Sequence, residues 1–162
     1  MSHPAHPRRS AEEQARVDAS IHDLFATHIR FNQVLGLKIL SVRHGDVRGR
    51  FEMQPTLVGH PAYGRLHGGV ISAVLDAMGG LAGMVAIGEH HAHETAEQVM
   101  ARFARYGTID LRVDFLRQGI GQYFIASTEV TRLGGRVAST LMRLHNDQGV
   151  LIATGAAAYS VG

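Results

Sequence analysis

Leu66-His67-Gly68-Gly69-Val70-Ile71-Ser72-Ala73-Val74-Leu75-Asp76 is a His-Gly-Gly turn that passes straight into an apolar helical run. Onward to Ile87, the residues Ile71, Val74, Leu75, Met78, Leu81, Ala82 and Val85 are apolar around much of the helix circumference, so the spacing predicts a buried helix over 69–87. Gly79-Gly80 in its middle implies that something packs very close. At the turn, two glycines let the backbone approach a ligand, and the first turn of a helix presents unpaired N–H groups with a partial positive charge. That is an oxyanion-binding geometry. Asp76, seven residues after Gly69, returns about two turns later to roughly the same face. A carboxylate and an oxyanion donor placed so suit the chemistry of one acyl group.

Outward from this run, the period changes. Thr108 to Phe115 alternates polar and apolar without a break, the signature of a strand with one buried face. Gln122–Arg132, Arg136–His145 and Val150–Val161 read as further strands, parted by Leu133-Gly134-Gly135 and Asn146-Asp147-Gln148-Gly149. Short turns demand antiparallel neighbours, and the spacing predicts these four strands as a meander. Before the buried helix, Leu37–Ser41 and Val47–Met53 form a hairpin about His44-Gly45-Asp46, and 54–66 is an irregular approach. Ser10 with Glu13 marks the cap of an amphipathic helix from about Ala11 to Arg30, and Thr95 with Gln98 caps a shorter one ended by Gly107. Only a curved antiparallel sheet is large enough to cover the apolar helix, so the fold class is α+β, the sheet wrapped around a long central helix.

A chain of 162 residues, 45% hydrophobic and 19% charged, makes one globular domain over 11–162, preceded by a mobile N-terminal tail over 1–10. The tail has no apolar segment behind His3, His6, Arg8 and Arg9, so it does not read as a secretory signal. No stretch reaches the roughly 18 uninterrupted apolar residues of a membrane span, and no membrane insertion is expected. The absence of cysteine excludes disulfides, thiolate metal sites and a Cys nucleophile, and favours a cytoplasmic location. With a formal charge of +2 and scattered arginines, nucleic-acid binding is not expected.

Phe31-Asn32, Leu35-Gly36, the Leu66–Ile71 turn, Asp76, the Gly107–Arg117 strand, Arg136-Val137-Ala138, Leu144-His145-Asn146 and Ala158-Tyr159 together resemble the hotdog-fold acyl-CoA thioesterases. The match is closest to the phenylacetic-acid-degradation (PaaI-like) branch of the 4-hydroxybenzoyl-CoA thioesterase superfamily, and within it to the YigI-type medium- and long-chain acyl-CoA thioesterases. This resemblance covers nearly everything after the tail. It implies a homodimer whose sheets join through the Thr108–Phe115 strand, often doubled to a dimer of dimers. It also implies that Gly68 and Gly69 of one chain face Asp76 of the neighbour. Two departures stand out: His60 occupies the place of a common amide residue, and Gln118 follows Arg117 where proline is usual.

Thioester hydrolysis needs a polarised carbonyl and an activated water or carboxylate nucleophile. Backbone N–H groups at Gly68 or Gly69 would hold the oxyanion, and Asp76 would act as general base or attack directly. His67 either contacts the thioester or positions the turn; His60 either replaces the missing amide or is an exposed loop residue. Arg117, Arg136 and Arg65 are candidates for the phosphates of CoA, with a surface ion pair as the alternative for each. Met78, Val74 and parts of Val99–Phe103 line the acyl pocket or simply belong to the core. Asp110, Arg112 and Asp114 share one strand face and pair across a dimer seam. His90-His91-Ala92-His93-Glu94 lacks a clearly spaced fourth ligand, and the chemistry requires neither metal nor cofactor. Hydrolysis of medium- to long-chain acyl-CoA is the reading that follows. The alternatives are an acyl-carrier-protein thioesterase and a non-catalytic acyl-CoA sensor.

Overall fold

A computed structural model of the chain describes residues 7–161. Helix α1 (Ala11–Asp23) starts at Ser10, whose hydroxyl accepts from the N–H of Glu13 at 3.1 Å. The single helix expected to Arg30 is broken. A π-helical turn over Leu24–His28 leads to extended Ile29, and α2 (Arg30–Val34) restarts beyond it. The cause is a local competition for carbonyls. Asn32 Nδ2 donates to the Phe25 carbonyl at 3.0 Å and displaces the Ile29 N–H one residue back, onto Leu24 at 3.0 Å.

Strands β1 (Lys38–Arg43) and β2 (Asp46–Glu52) form the expected hairpin, turning on Gly45 at φ +80°. The segment expected to be irregular carries a small two-stranded strap, β3 (Val58–His60) and β4 (Arg65–Leu66). Helix α3 (Gly68–His90) follows, then α4 (Ala96–Arg102) with a full Thr95/Gln98 capping box. Strands β5 (Gly107–Phe115), β6 (Tyr123–Leu133), β7 (Val137–Asn146) and β8 (Leu151–Ser160) complete one six-stranded antiparallel sheet in the order β1-β2-β6-β7-β8-β5.

Only β6, β7 and β8 form a meander. The strand expected to begin it, β5, crosses to the far edge and pairs with β8 alone. Period-2 alternation reports a half-buried strand without reporting its neighbour. The crossing is held where Leu116 and Arg117 donate N–H to the Ile152 carbonyl and Leu66 donates to that of Gly119. As a result β5 is an exposed edge, with Ile109, Phe115 and Leu116 about half exposed.

Helix α3 lies in the concave face of the sheet, with Val74, Leu75, Met78 and Leu81 fully buried. It has the length and composition of a membrane span, yet 72% of its most apolar 18-residue window is buried inside the fold. Its glycines receive two rings. A Cβ at Gly79 would stand 2.3 Å from the Tyr159 hydroxyl and one at Gly83 would stand 2.0 Å from that of Tyr106. The two rings stack in parallel, 5.5 Å apart at 4°.

Part of the expected tail is anchored. Residues 1–6 lie outside the described residues, but Arg8 pairs with Glu89. Arg9 donates to the carbonyls of Gly88, His91 and Ala92 at the C-terminal end of α3. Unpaired carbonyls and the negative end of the helix dipole attract the cation.

Candidate active site

The His-Gly-Gly turn is built by its own histidine. His67 is the N-cap of α3, and its Nδ1 accepts from the Gly69 N–H at 2.9 Å. With Nδ1 accepting, the neutral ring carries its proton on Nε2. Val70 and Ile71 donate to the His67 carbonyl, at 3.0 and 3.3 Å. Of the two expected oxyanion donors Gly69 is therefore engaged, and the Gly68 N–H is left without a partner among the described residues. It opens on a cleft of about 450 Å³ bordered by Arg65, Leu66, Phe115, Arg117 and Gln118.

His60 does not reach this cleft. Its exposed ring lies 4.7 Å from Tyr63, and what β3 brings close is Gly59, where a Cβ would be 2.6 Å from His67 Cα. Arg65 lies over the ring of Tyr63 at 5.3 Å, and Arg117 Nη1 donates to the Leu151 carbonyl at 3.0 Å. Arg112 pairs with Asp114 in its own strand at 3.1 Å, and Asp110 accepts from the Ala158 N–H at 3.0 Å, so these residues find partners within the chain.

Asp76 stands elsewhere. From Gly68 it is about 12 Å along the helix axis at 1.5 Å per residue. Thr108 at the start of β5 donates to Asp76 Oδ1 at 2.9 Å. The Tyr159 hydroxyl donates to the Asp76 carbonyl at 2.8 Å and lies 3.3 Å from Oδ1. Burial pushes the Tyr159 hydroxyl far above its usual range, and the Asp76 charge adds to this, so the tyrosine stays protonated. Thr108 thus fixes Oδ1, with the Tyr159 hydroxyl beside it, and Oδ2 is left unengaged among the described residues. Beside the carboxylate lies a largely apolar cleft of about 320 Å³ lined by Phe25, Ile29, Phe31, Ala77, Met84 and Tyr106.

The expected acyl-pocket residues Val74 and Met78 do not line this cleft. Both are wholly buried, and Met78 Sδ is packed against the backbone of Gly49 in β2. Val99 and Phe103 are likewise core. The sheet takes the 71/74/75/78 face of α3, which leaves the 73/76/77/80/84 face for the cleft. Thr108 and Tyr159 were missed from sequence. Tyr159 carried a signal, as a hydroxyl-bearing residue at an inward position of its strand, whereas Thr108 falls on the polar side of its strand's alternation and is brought opposite Tyr159 by the irregularity between Thr108 and Asp110.

Arg136 is distant from the Gly68 cleft, in the β6–β7 turn, where its carbonyl accepts from Val161 at 3.0 Å. In the histidine cluster, His91 Nδ1 lies 3.5 Å and His93 Nε2 4.0 Å from Glu94 Oε1, but Glu94 is held by the Arg102 fork. Burial, then Arg102, pulls His91 below the usual histidine value.

An antiparallel sheet wrapped around one long helix is a hotdog fold, here with an N–H at the helix start unpaired among the described residues and a fixed carboxylate two turns on. The chain belongs to the Thioesterase superfamily, whose model matches residues 63–153. It is 37% identical over 142 residues to the medium/long-chain acyl-CoA thioesterase YigI of Escherichia coli K12, covering 88% of this chain and 92% of the relative. The YigI protein of Salmonella typhimurium matches to the same extent. A solved structure from Shewanella oneidensis, described as related to the thioesterase superfamily, superposes with a TM-score of 0.88 at 39% identity, over 94% of this chain and all of that one.

Proposed function

We propose that this protein hydrolyses medium- to long-chain acyl-CoA thioesters at a site shared between two copies of the chain. The observation that carries the reading is the separation of the two half-sites: the Gly68 cleft and the Asp76 cleft have no lining residue in common. Their relation to β5 suggests how they meet. Thr108, near the start of β5, holds Asp76, while the Phe115 ring at its end is 3.4 Å from where a Gly68 Cβ would stand. Antiparallel pairing of two β5 edges about Leu111 brings Gly107 of one copy opposite Phe115 of the other. Asp76 then faces the second copy's Gly68, which matches the assembly the family resemblance implies.

In that arrangement the thioester carbonyl oxygen accepts from the Gly68 N–H, with the helix N-terminus stabilising the growing negative charge. Asp76 Oδ2 takes a proton from water as its oxygen bonds to the carbonyl carbon. Collapse of the tetrahedral oxyanion breaks the C–S bond, and the leaving thiolate recovers the proton. The acyl chain lies along Phe25, Ile29 and Met84, where each buried methylene contributes about 0.8 kcal/mol.

Release of CoA thiol from acyl-CoAs of graded length tests the reading. Asp76→Asn and Gly68→Pro are each expected to lower kcat by about 10²–10³-fold. Proline suits the first position of a helix, so Gly68→Pro removes one N–H and leaves α3 intact. Wild-type rates retained in Asp76→Asn overturn the reading.

A further inference from the structure

Asn32 in α2 is only 2% exposed, yet it borders the apolar cleft beside Asp76. Its backbone is satisfied, because the N–H reaches the Ile29 carbonyl at 3.0 Å and the carbonyl accepts from Leu37 at 2.9 Å. Its side-chain amide is only half satisfied. Nδ2 donates to the Phe25 carbonyl at 3.0 Å, and since a carbonyl can only accept, the amide cannot be turned the other way round. Oδ1 is thereby fixed as an acceptor, and it makes no hydrogen bond among the described residues. Unlike the unpaired Tyr106 hydroxyl at the same cleft it is not sealed from solvent, so it opens on the cleft that Asn32 lines.

Leu37 fixes where along α3 this acceptor stands. Its side chain and that of Met78 both press on Gly49, where a Cβ would be 3.1 Å from Leu37 and 2.6 Å from Met78 Sδ. Asn32, bonded to the Leu37 N–H, is thus carried to the 76–80 turn of α3, and one turn is about 5.4 Å. In the proposed reaction the thioester lies at Asp76 and the acyl chain runs past Phe25 and Met84. Oδ1 therefore faces the first few carbons beyond the carbonyl. Thr108 and Tyr159, the hydroxyls beside it, already donate to Asp76 Oδ1 and to the Asp76 carbonyl.

We infer that Asn32 Oδ1 accepts from the hydroxyl of a 3-hydroxyacyl chain, so that the preferred substrate class of this site is 3-hydroxyacyl-CoA; this rests on the acyl-CoA reading above. A saturated chain laid over Oδ1 strips it of water and returns no donor, which is costly for a buried acceptor. A hydroxyl restores the bond. A pocket that hydrogen-bonds a substrate hydroxyl also rejects the analogue lacking it far better than an apolar pocket rejects one methylene. Carbon 3 is the first to clear the carbonyl held between Gly68 and Asp76 while remaining within a helix turn of Asp76.

The test compares decanoyl-CoA with the (R) and (S) forms of 3-hydroxydecanoyl-CoA. Because the amide is fixed and faces one side of the chain, wild type is expected to give one enantiomer a kcat/KM about tenfold above decanoyl-CoA. By calorimetry on Asp76→Asn, which lacks the base, the same enantiomer is expected to bind about tenfold more tightly. Asn32→Leu keeps the volume and deletes the acceptor, and is expected to abolish the preference. It also frees the Phe25 carbonyl, so where it fails to fold the two measurements with Asn32 in place decide. Equal kcat/KM and equal affinity for all three esters overturn the inference, as does a gain shared equally by both enantiomers. It is also overturned by an Asn32→Leu protein that lowers kcat for all three by one factor, which would make Oδ1 a partner of the attacking water. These outcomes leave acyl-CoA hydrolysis standing. Enantiomer-selective binding by Asp76→Asn, with a wild type that hydrolyses none of the three, refutes the hydrolase reading and leaves hydroxyl recognition in place.

Discussion

Tyr159 reaches Asp76 only because residue 79 has no side chain, since a Cβ there would stand 2.3 Å from the hydroxyl. Gly79→Ala is therefore expected to lower kcat and to cost about 1–3 kcal/mol in thermal unfolding. Tyr159→Phe, which deletes only the hydroxyl, is expected to lower kcat with a smaller loss of melting temperature. Unchanged kcat in both would make the tyrosine purely structural. A single residue step on α3 separates core from site in the same way. Met78→Ala is expected to cost roughly 2–5 kcal/mol of stability without altering chain-length preference. Ala77→Phe is expected to move the kcat/KM optimum toward shorter acyl chains while stability changes less. The role of Asp76 divides on isotope: with enzyme in excess in ¹⁸O water, label confined to the product acid fits the general base, and label in Asp76 would make it the nucleophile.

At the scale of elements, the C-terminal end of α3 is clamped by charges. Arg8 holds the Glu89 carboxyl below its ordinary 4.5, and Arg102 does the same to Glu94. A depressed carboxylate contributes stability that is fully present above the unfolded value and is lost as pH falls through the folded one. The melting temperature is thus expected to drop on acidification below about pH 4.5, and Glu94→Gln to flatten that drop. These contacts were not legible in sequence, because Arg8 and Glu89 are far apart in the chain. Local elements were legible: the Thr95/Gln98 box and the apolar period of α3 declare themselves within a few residues. The break at Ile29 was not, because it depends on whether the Asn32 amide or a backbone N–H wins the Phe25 carbonyl.

At the scale of the whole molecule, the exposed β5 edge and the divided site make one prediction. Light scattering is expected to give a dimer, and mixing inactive Asp76→Asn with inactive Gly68→Pro after unfolding and refolding is expected to restore about a quarter of wild-type activity. Half of the dimers are then hybrids, and each hybrid has one site with both groups intact. A monomer, or a mixture that stays inactive, would sink the shared site.

The residues by themselves determined the buried helix, the His-Gly-Gly cap, the acid two turns on and the antiparallel strands, because each is written in contiguous residues through helix period, strand period or capping chemistry. The tertiary structure alone decided which face of α3 the sheet took, and so buried Val74 and Met78 and opened the apolar cleft beside Ala77 and Met84 instead. It also sent β5 to the sheet edge and supplied Thr108 and Tyr159 to Asp76. Those outcomes depend on packing between segments distant in the chain, and a hydrophobic pattern says that a surface is covered without saying by what.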